Sequence, residues 1–296
     1  MAWLQVNFFS TSLMHGVPLN VLLPAEYLPP AQPGKDAPPL PRFKTLYLLH
    51  GFMGGYNDWL HGTQINEMAQ QFGIAVVMPS GDNSYYVDQP KSGLRYGEFV
   101  GRELVDFTRK MFPLLSDRRE DTLIGGLSMG GYGAMRAALR YGETFGHCIA
   151  LSSAVPSETA RGVTDEPNYI GVTRSFYETL FGDPDHIEGT DNDCAELARR
   201  ILAENKPAPD LYFACGYNDA LGVYNRLLHE KFDAMGFKHV YEEGPGTHEW
   251  AFWNLFLRRG LSHALGARDF NFQNPFWVDN YDPKYDVIGS AGKEAN

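Results

Sequence analysis

The sequence predicts an α/β protein: a mainly parallel central sheet with helices on both faces and an inserted cap segment. Three observations lead there. Short apolar runs alternate with segments of helical spacing. The runs are apolar throughout instead of alternating, as strands buried on both faces must be. Residues able to do chemistry collect just beyond the runs, and open parallel sheets place their sites at those carboxyl ends.

The elements read in order as follows. Leu4 to Phe9 and Asn20 to Leu23 are two short strands with a turn around His15-Gly16 between them. Pro24 to Pro41 is too rich in proline for a central strand or a helix and forms a surface connection. Lys44 to Leu49 is an apolar run ending at His50-Gly51, and Ile74 to Met78 is a second, ending at Pro79-Ser80-Gly81. Asp121 to Ile124 is a third, closed by glycines; His147 to Leu151 and Asp210 to Cys215 follow, with a weaker run at Lys238 to Glu242. Helical spacing covers Asp58 to Phe72, Glu98 to Phe112, Met129 to Arg140, Ala220 to Met235 and Glu249 to Leu257. The alternation breaks from Ser153 to Pro209, a stretch with few apolar runs, which reads as a cap. Residues 1–266 thus form one domain with 153–209 inserted, and 267–296 form an aromatic extension.

Composition narrows the class. Of the 296 residues, 44% are hydrophobic and 14% aromatic, enough to build a substantial core. The net charge of −11 argues against a nucleic-acid partner, which needs clustered Lys and Arg. Cys148, Cys194 and Cys215 are far apart and odd in number, so buried thiols are expected, not a disulfide framework or zinc ribbon. No stretch approaches the roughly 18 apolar residues of a membrane span, and the first residues lack a leader pattern. A cytoplasmic location without membrane attachment is the expectation.

Gly126-Leu127-Ser128-Met129-Gly130 matches G-x-S-x-G, the nucleophile elbow of α/β-hydrolases. Chance gives that pattern in about one chain of this composition in seven, so its placement between an apolar run and a helical segment matters more than the match. A serine on a tight strand-to-helix turn needs small neighbours, and the helix behind it directs free N–H groups at developing negative charge. His248, in the turn-rich Gly244-Pro245-Gly246-Thr247-His248 loop, is the candidate base. Asp219 lies just past the Asp210 to Cys215 run and between serine and histidine in the chain, so it is the candidate acid that orients the imidazole. The oxyanion donors are expected from the backbones of Met129 and Phe52, with Gly51 next. Tyr85 and Tyr86, after the Ile74 to Met78 run, together with Gly51 and Trp250, are the candidate substrate contacts. Tyr169, Phe176 and Tyr177 of the inserted segment are candidate roof residues.

These motifs together resemble the esterase D family, in its tributyrin esterase and feruloyl esterase branch. The resemblance rests on Leu48-Leu49-His50-Gly51-Phe52-Met53-Gly54-Gly55 with Asp58-Trp59, Gly126 to Ala134, Cys215-Gly216 with Asp219, and Gly246-Thr247-His248-Glu249-Trp250 with Trp253. It implies hydrolysis of short acyl esters, small-molecule substrates, without cofactor or metal. It also places the nucleophile, acid and base on Ser128, Asp219 and His248. Feruloyl or acetyl esters of plant saccharides fit that implication. An acyltransferase, in which another alcohol intercepts the acyl-enzyme, and an S-formylglutathione-type thioesterase are the alternatives. A non-catalytic carbohydrate-binding relative is disfavoured by an intact Ser, Asp and His in the expected order. The aromatic tail is expected to cover the body or a neighbouring subunit, as in a homo-oligomer.

Overall fold

A computed structural model describes residues 1–24, 42–168 and 170–266 of the chain. Residues 25–41 of the proline-rich connection, Tyr169 and the tail from residue 267 lie outside the described residues.

Among the described residues eight strands form one sheet: β1 (Ala2–Ser10), β2 (His15–Leu23), β3 (Thr45–Leu49), β4 (Ala75–Pro79), β5 (Thr122–Leu127), β6 (His147–Leu151), β7 (Asp210–Gly216) and β8 (Val240–Gly244). Their order across the sheet is β1-β2-β4-β3-β5-β6-β7-β8. β1 and β2 pair antiparallel, as do β2 and β4, and every other pairing is parallel. The expected mainly parallel sheet is therefore present, with an antiparallel hairpin at one edge.

The apolar runs sort by the two-residue period of a strand. Tyr47, Leu49, Val77, Ile124, Cys148, Ala150, Leu211 and Phe213 enter one core. Their neighbours Leu46, Leu48, Val76, Met78, Leu123, Ile149, Leu151, Tyr212 and Ala214 enter the other. The second core is covered by α1 (Asp58–Gly62), α2 (Ile65–Phe72) and a helix over Trp250–Leu265. The first is covered by a helical stretch over residues 96–111 and by helices Met129–Arg140, Cys194–Ala203 and Gly222–Met235. In chain order the helices after α2 are α3 (Tyr96–Glu98), α4 (Leu104–Met111), α5 (Met129–Arg140), α6 (Pro156–Thr159), α7 (Arg174–Phe181), α8 (Cys194–Ala203), α9 (Gly222–Met235) and α10 (Trp250–Leu265). All three cysteines are free and buried.

Several boundaries differ from the sequence reading for identifiable reasons. The single helix expected from Asp58 to Phe72 breaks at Thr63, which is extended; its hydroxyl donates to the Trp59 carbonyl and accepts from the Ile65 N–H. The first hairpin turns at residues 11–14, ahead of His15. There the Glu103 carboxylate accepts from the Thr11 and Ser12 amides and the Ser10 and Thr11 hydroxyls. Those bonds hold the carboxyl well below its usual range, at about 2, although burial pushes the other way. A local reading has no access to that distant anchor. The stretch expected from Glu98 begins at Tyr96 and passes through a π-helical turn at Phe99–Glu103. β5 continues beyond Ile124 because Gly125 and Gly126 pair with Leu48 and Leu49 on one side and Ile149 and Ala150 on the other.

Residues 153–209 contain α6, α7 and α8. Buried residues of this segment, among them Val155, Val172, Tyr177 and Ala198, are continuous with the first core.

Candidate active site

Ser128 stands between β5 and α5 with φ +56° and ψ −118°, a conformation an L-residue adopts only when its surroundings enforce it. The enforcement is visible. The Ser128 N–H donates to the Leu151 carbonyl at 2.9 Å, and its own carbonyl accepts from Tyr132 at 3.1 Å and Ala154 at 3.0 Å. A Cβ at Gly126 would run into the carbonyls of Gly130 and Leu49, and one at Gly130 into those of Leu49 and His50. Both motif glycines are therefore required by packing. Although Ser128 occupies the N-cap position of α5, its hydroxyl makes no capping bond. The Met129 N–H follows in the first turn, where helix amides have no intrahelical acceptor.

The loop after β3 runs beside this turn. A Cβ on Gly51 would meet the Leu127 side chain at 2.6 Å and lie 3.6 Å from the Ser128 Cβ. Its Met53 amide donates to Asn83 Oδ1 at 2.7 Å and its Gly54 amide to the Gly51 carbonyl at 3.2 Å. Among the described residues no acceptor takes the Phe52 N–H. His50 is buried at the root of the loop, and Nε2 accepts from the Gly81 N–H at 2.8 Å. An amide only donates, so Nδ1 carries the proton and bonds the Gly51 carbonyl at 2.8 Å. Burial pushes the His50 pKa down, against the raising effect of that carbonyl and of nearby Asp58 and Asp82. The Trp59 indole N–H donates to the Leu49 carbonyl at 3.0 Å and fixes the other side.

Asp219 follows β7 and is buried; His248 follows β8. His248 Nδ1 donates to Asp219 Oδ2 at 2.9 Å. Asp219 Oδ1 accepts from the Leu221 N–H at 2.8 Å. Burial raises the Asp219 carboxyl, but the bonds from His248, Leu221 and Ser152 and the charge on His248 bring it below its ordinary value. The imidazole stands edge-on to Trp253, with ring centres 4.9 Å apart, and Trp253 Nε1 donates to Ser152 Oγ at 3.0 Å. An imidazole held by Nδ1 keeps an Nε2 lone pair able to take a proton. Among the described residues no hydrogen bond joins His248 to Ser128.

The expected substrate contacts divide. Tyr85 has φ +51° and packs with Phe52, Tyr132, Tyr177 and Phe181 at ring-centre distances of 5.6–6.2 Å. Phe176 stands edge-on to Phe52 at 5.7 Å, so α7 lies over the loop. Tyr86 is a correction. It is 1% exposed, its hydroxyl donates to the His50 carbonyl at 3.0 Å, and its ring fills the space left by Gly81 and Gly133, so it supports the loop from behind. Trp250, partly buried, packs edge-on against Trp59 and Trp253 at 5.6 and 5.1 Å and over Gly62, bracing α1 against α10. Ser152 and Asn83 were missed by the sequence reading. The one available signal was their position just beyond strands β6 and β4, at the edge where site residues gather.

A strained serine elbow after β5, with an acid after β7 and its bonded histidine after β8, on a mainly parallel sheet, defines an α/β-hydrolase. The family model described as "Putative esterase" matches residues 10–264. The acetyl esterase of Caldicellulosiruptor saccharolyticus is 40% identical over 269 residues, covering 91% of this chain and all of that one. Among solved structures, the fluorophosphonate-binding serine hydrolase FphF of Staphylococcus aureus superposes with a TM-score of 0.78 at 28% identity, over 90% of this chain and 99% of that one. The S-formylglutathione hydrolase FrmB of the same organism gives 0.75 at 28% identity, over 89% and 98%. The chain belongs to the esterase family, and it is an enzyme of the carboxylic ester hydrolase type with an α/β-hydrolase fold. No helix among the described residues is long and apolar enough to cross a membrane.

Proposed function

We propose that the chain hydrolyses short-chain acyl esters, acetyl esters foremost, through Ser128, His248 and Asp219. The observation that carries this reading is the 2.9 Å bond from His248 Nδ1 to buried Asp219, presented on the same sheet edge as the strained Ser128. As Ser128 Oγ attacks the ester carbonyl, His248 Nε2 takes its proton. The N–H groups of Met129 and Phe52 hold the oxyanion. His248 then gives the proton to the leaving alkoxide, and water repeats the cycle on the acyl-enzyme. Asp219 keeps the imidazole in its Nδ1–H tautomer and stabilises the imidazolium. Residues 153–209 act as a cap, with α7 roofing the acyl side. Support for acetyl over longer acyl groups comes from the aromatic packing of Phe176 and Tyr85 around Phe52 and from the acetyl esterase relative at 40% identity.

The test is hydrolysis of p-nitrophenyl acetate, butyrate and octanoate, with methyl ferulate alongside, by wild type and Ser128→Ala. Turnover of acetate above octanoate, with a loss of about 10³-fold or more in the folded variant, is expected. Equal rates for the two folded proteins would overturn the reading.

A further inference from the structure

On the opposite edge of the sheet from Ser128, where β8 begins, three side chains converge. His229 and Asp233 lie one helical turn apart on α9, and His239 immediately precedes β8. One ligand atom from each lies within 4.8 Å of the other two. We propose that His229, Asp233 and His239 form a binding site for a divalent transition-metal ion of the zinc type.

The hydrogen bonding shows which nitrogens face one another. His239 Nδ1 donates to the Phe237 carbonyl at 2.7 Å, so its Nε2 is the acceptor nitrogen. That Nε2 lies 2.8 Å from His229 Nδ1, which must therefore carry a proton. His229 Nε2 lies 3.5 Å from Asp233 Oδ2. His239 Nε2 faces Asp233 Oδ1 at 3.7 Å. A metal ion here would take the place of the proton between His229 Nδ1 and His239 Nε2, with the Asp233 carboxylate beside them. With metal–ligand bonds of about 2.0–2.1 Å, tetrahedral ligands sit roughly 3.3 Å apart, a spacing that these three groups, all within 4.8 Å of one another, reach by side-chain adjustment. Water supplies the fourth, because Asp233 is exposed.

The surroundings match what such an ion requires. The carbonyl bond on His239 fixes its ring and tautomer, as the partner behind a ligating histidine does. Its ring packs against Phe213 and Phe232, with centres 5.5 and 5.4 Å away. An ion here would tie α9, which follows the Asp219 loop, to β8, which leads into the His248 loop. Binding would stabilise the folded chain by mass action and leave the chemistry of Ser128 untouched.

The experiment uses the full chain without an affinity tag, stripped with a chelator and exchanged into chelator-free buffer. ZnCl₂ is titrated by calorimetry and by thermal unfolding, for wild type, His239→Ala, His229→Ala and Asp233→Asn. Expected are one Zn²⁺ per chain, a rise in Tm for wild type, and at least a tenfold loss of affinity in each variant. His239 is packed in the core, so if that variant fails to fold, the exposed-side variants decide. Wild type that binds no Zn²⁺ would overturn the proposal. So would His229→Ala and Asp233→Asn binding as wild type does, with the ion then on other groups such as His147, Asp210 and His263.

Discussion

The Gly81 amide donates to Nε2 of His50 at 2.8 Å, and this bond joins the loop after β4 to the loop after β3 beside Ser128. The same contact makes His50 a neutral Nδ1–H imidazole whose ring cannot also serve as a base. Replacing it with alanine leaves a buried amide without a partner and is expected to lower stability by about 1–3 kcal/mol. Ester turnover should fall with it, as the Gly51–Phe52 turn loosens. Urea denaturation and a p-nitrophenyl acetate assay read both.

The pH dependence has a definite sign. Burial lowers the His50 pKa, so the unfolded chain binds the proton more readily than the folded one. The stability this group contributes is complete above the ordinary histidine value and is lost as pH falls from there through the lower folded value. Between pH 7 and pH 5, wild type should lose more stability than His50→Gln, which keeps an acceptor and has no proton to gain. Parallel losses in the two proteins would show that His50 does not titrate on unfolding.

Asp219→Asn should retain the fold and lower kcat by about 10³–10⁴-fold, since an amide no longer holds the Nδ1–H tautomer. Ser152→Ala removes a donor to Asp219 and the acceptor of Trp253, and a smaller loss of about tenfold is expected. Its mark is a fall in kcat with KM nearly unchanged, which a merely loosened fold would not give.

Gly130→Ala should fold poorly, because its Cβ would be pressed into the Leu49 and His50 carbonyls and neither is a flexible side-chain end. A penalty of roughly 3 kcal/mol or more is expected. Gly55→Ala is the control in the neighbouring loop: a Cβ there meets nothing within 4 Å. Thermal unfolding of both variants separates close packing from a general need for glycine.

Phe176→Ala opens the space against Phe52. The ratio of kcat/KM for butyrate over acetate should rise by about tenfold, the scale of one or two methylenes in an apolar pocket. An unchanged ratio would place the acyl group elsewhere.

Much of the fold was legible because buried parallel strands and amphipathic helices leave their period in the chain. His147 to Leu151 and Met129 to Arg140 coincide with β6 and α5. Ser128, Asp219 and His248 stood out because each lies at or shortly beyond the end of a strand: β5, β7 and β8. The illegible parts depend on contacts between distant residues. Glu103 sets a hairpin turn near the N-terminus; Trp250 fills the space over Gly62; Ser152 and Trp253 meet across the sheet edge. Tyr85 and Tyr86 both adopt positive φ, which no propensity assigns to bulky side chains, and both are buried.

The site residues enter the chain in the order Gly51, Ser128, Ser152, Asp219, His248 and Trp253. A ribosome therefore delivers the elbow well before its proposed base, and the helix that braces the imidazole arrives last. A nascent chain stalled or cut ahead of His248 carries a strained serine with no proton acceptor, so on the triad reading it is inert toward esters however well its first strands have paired.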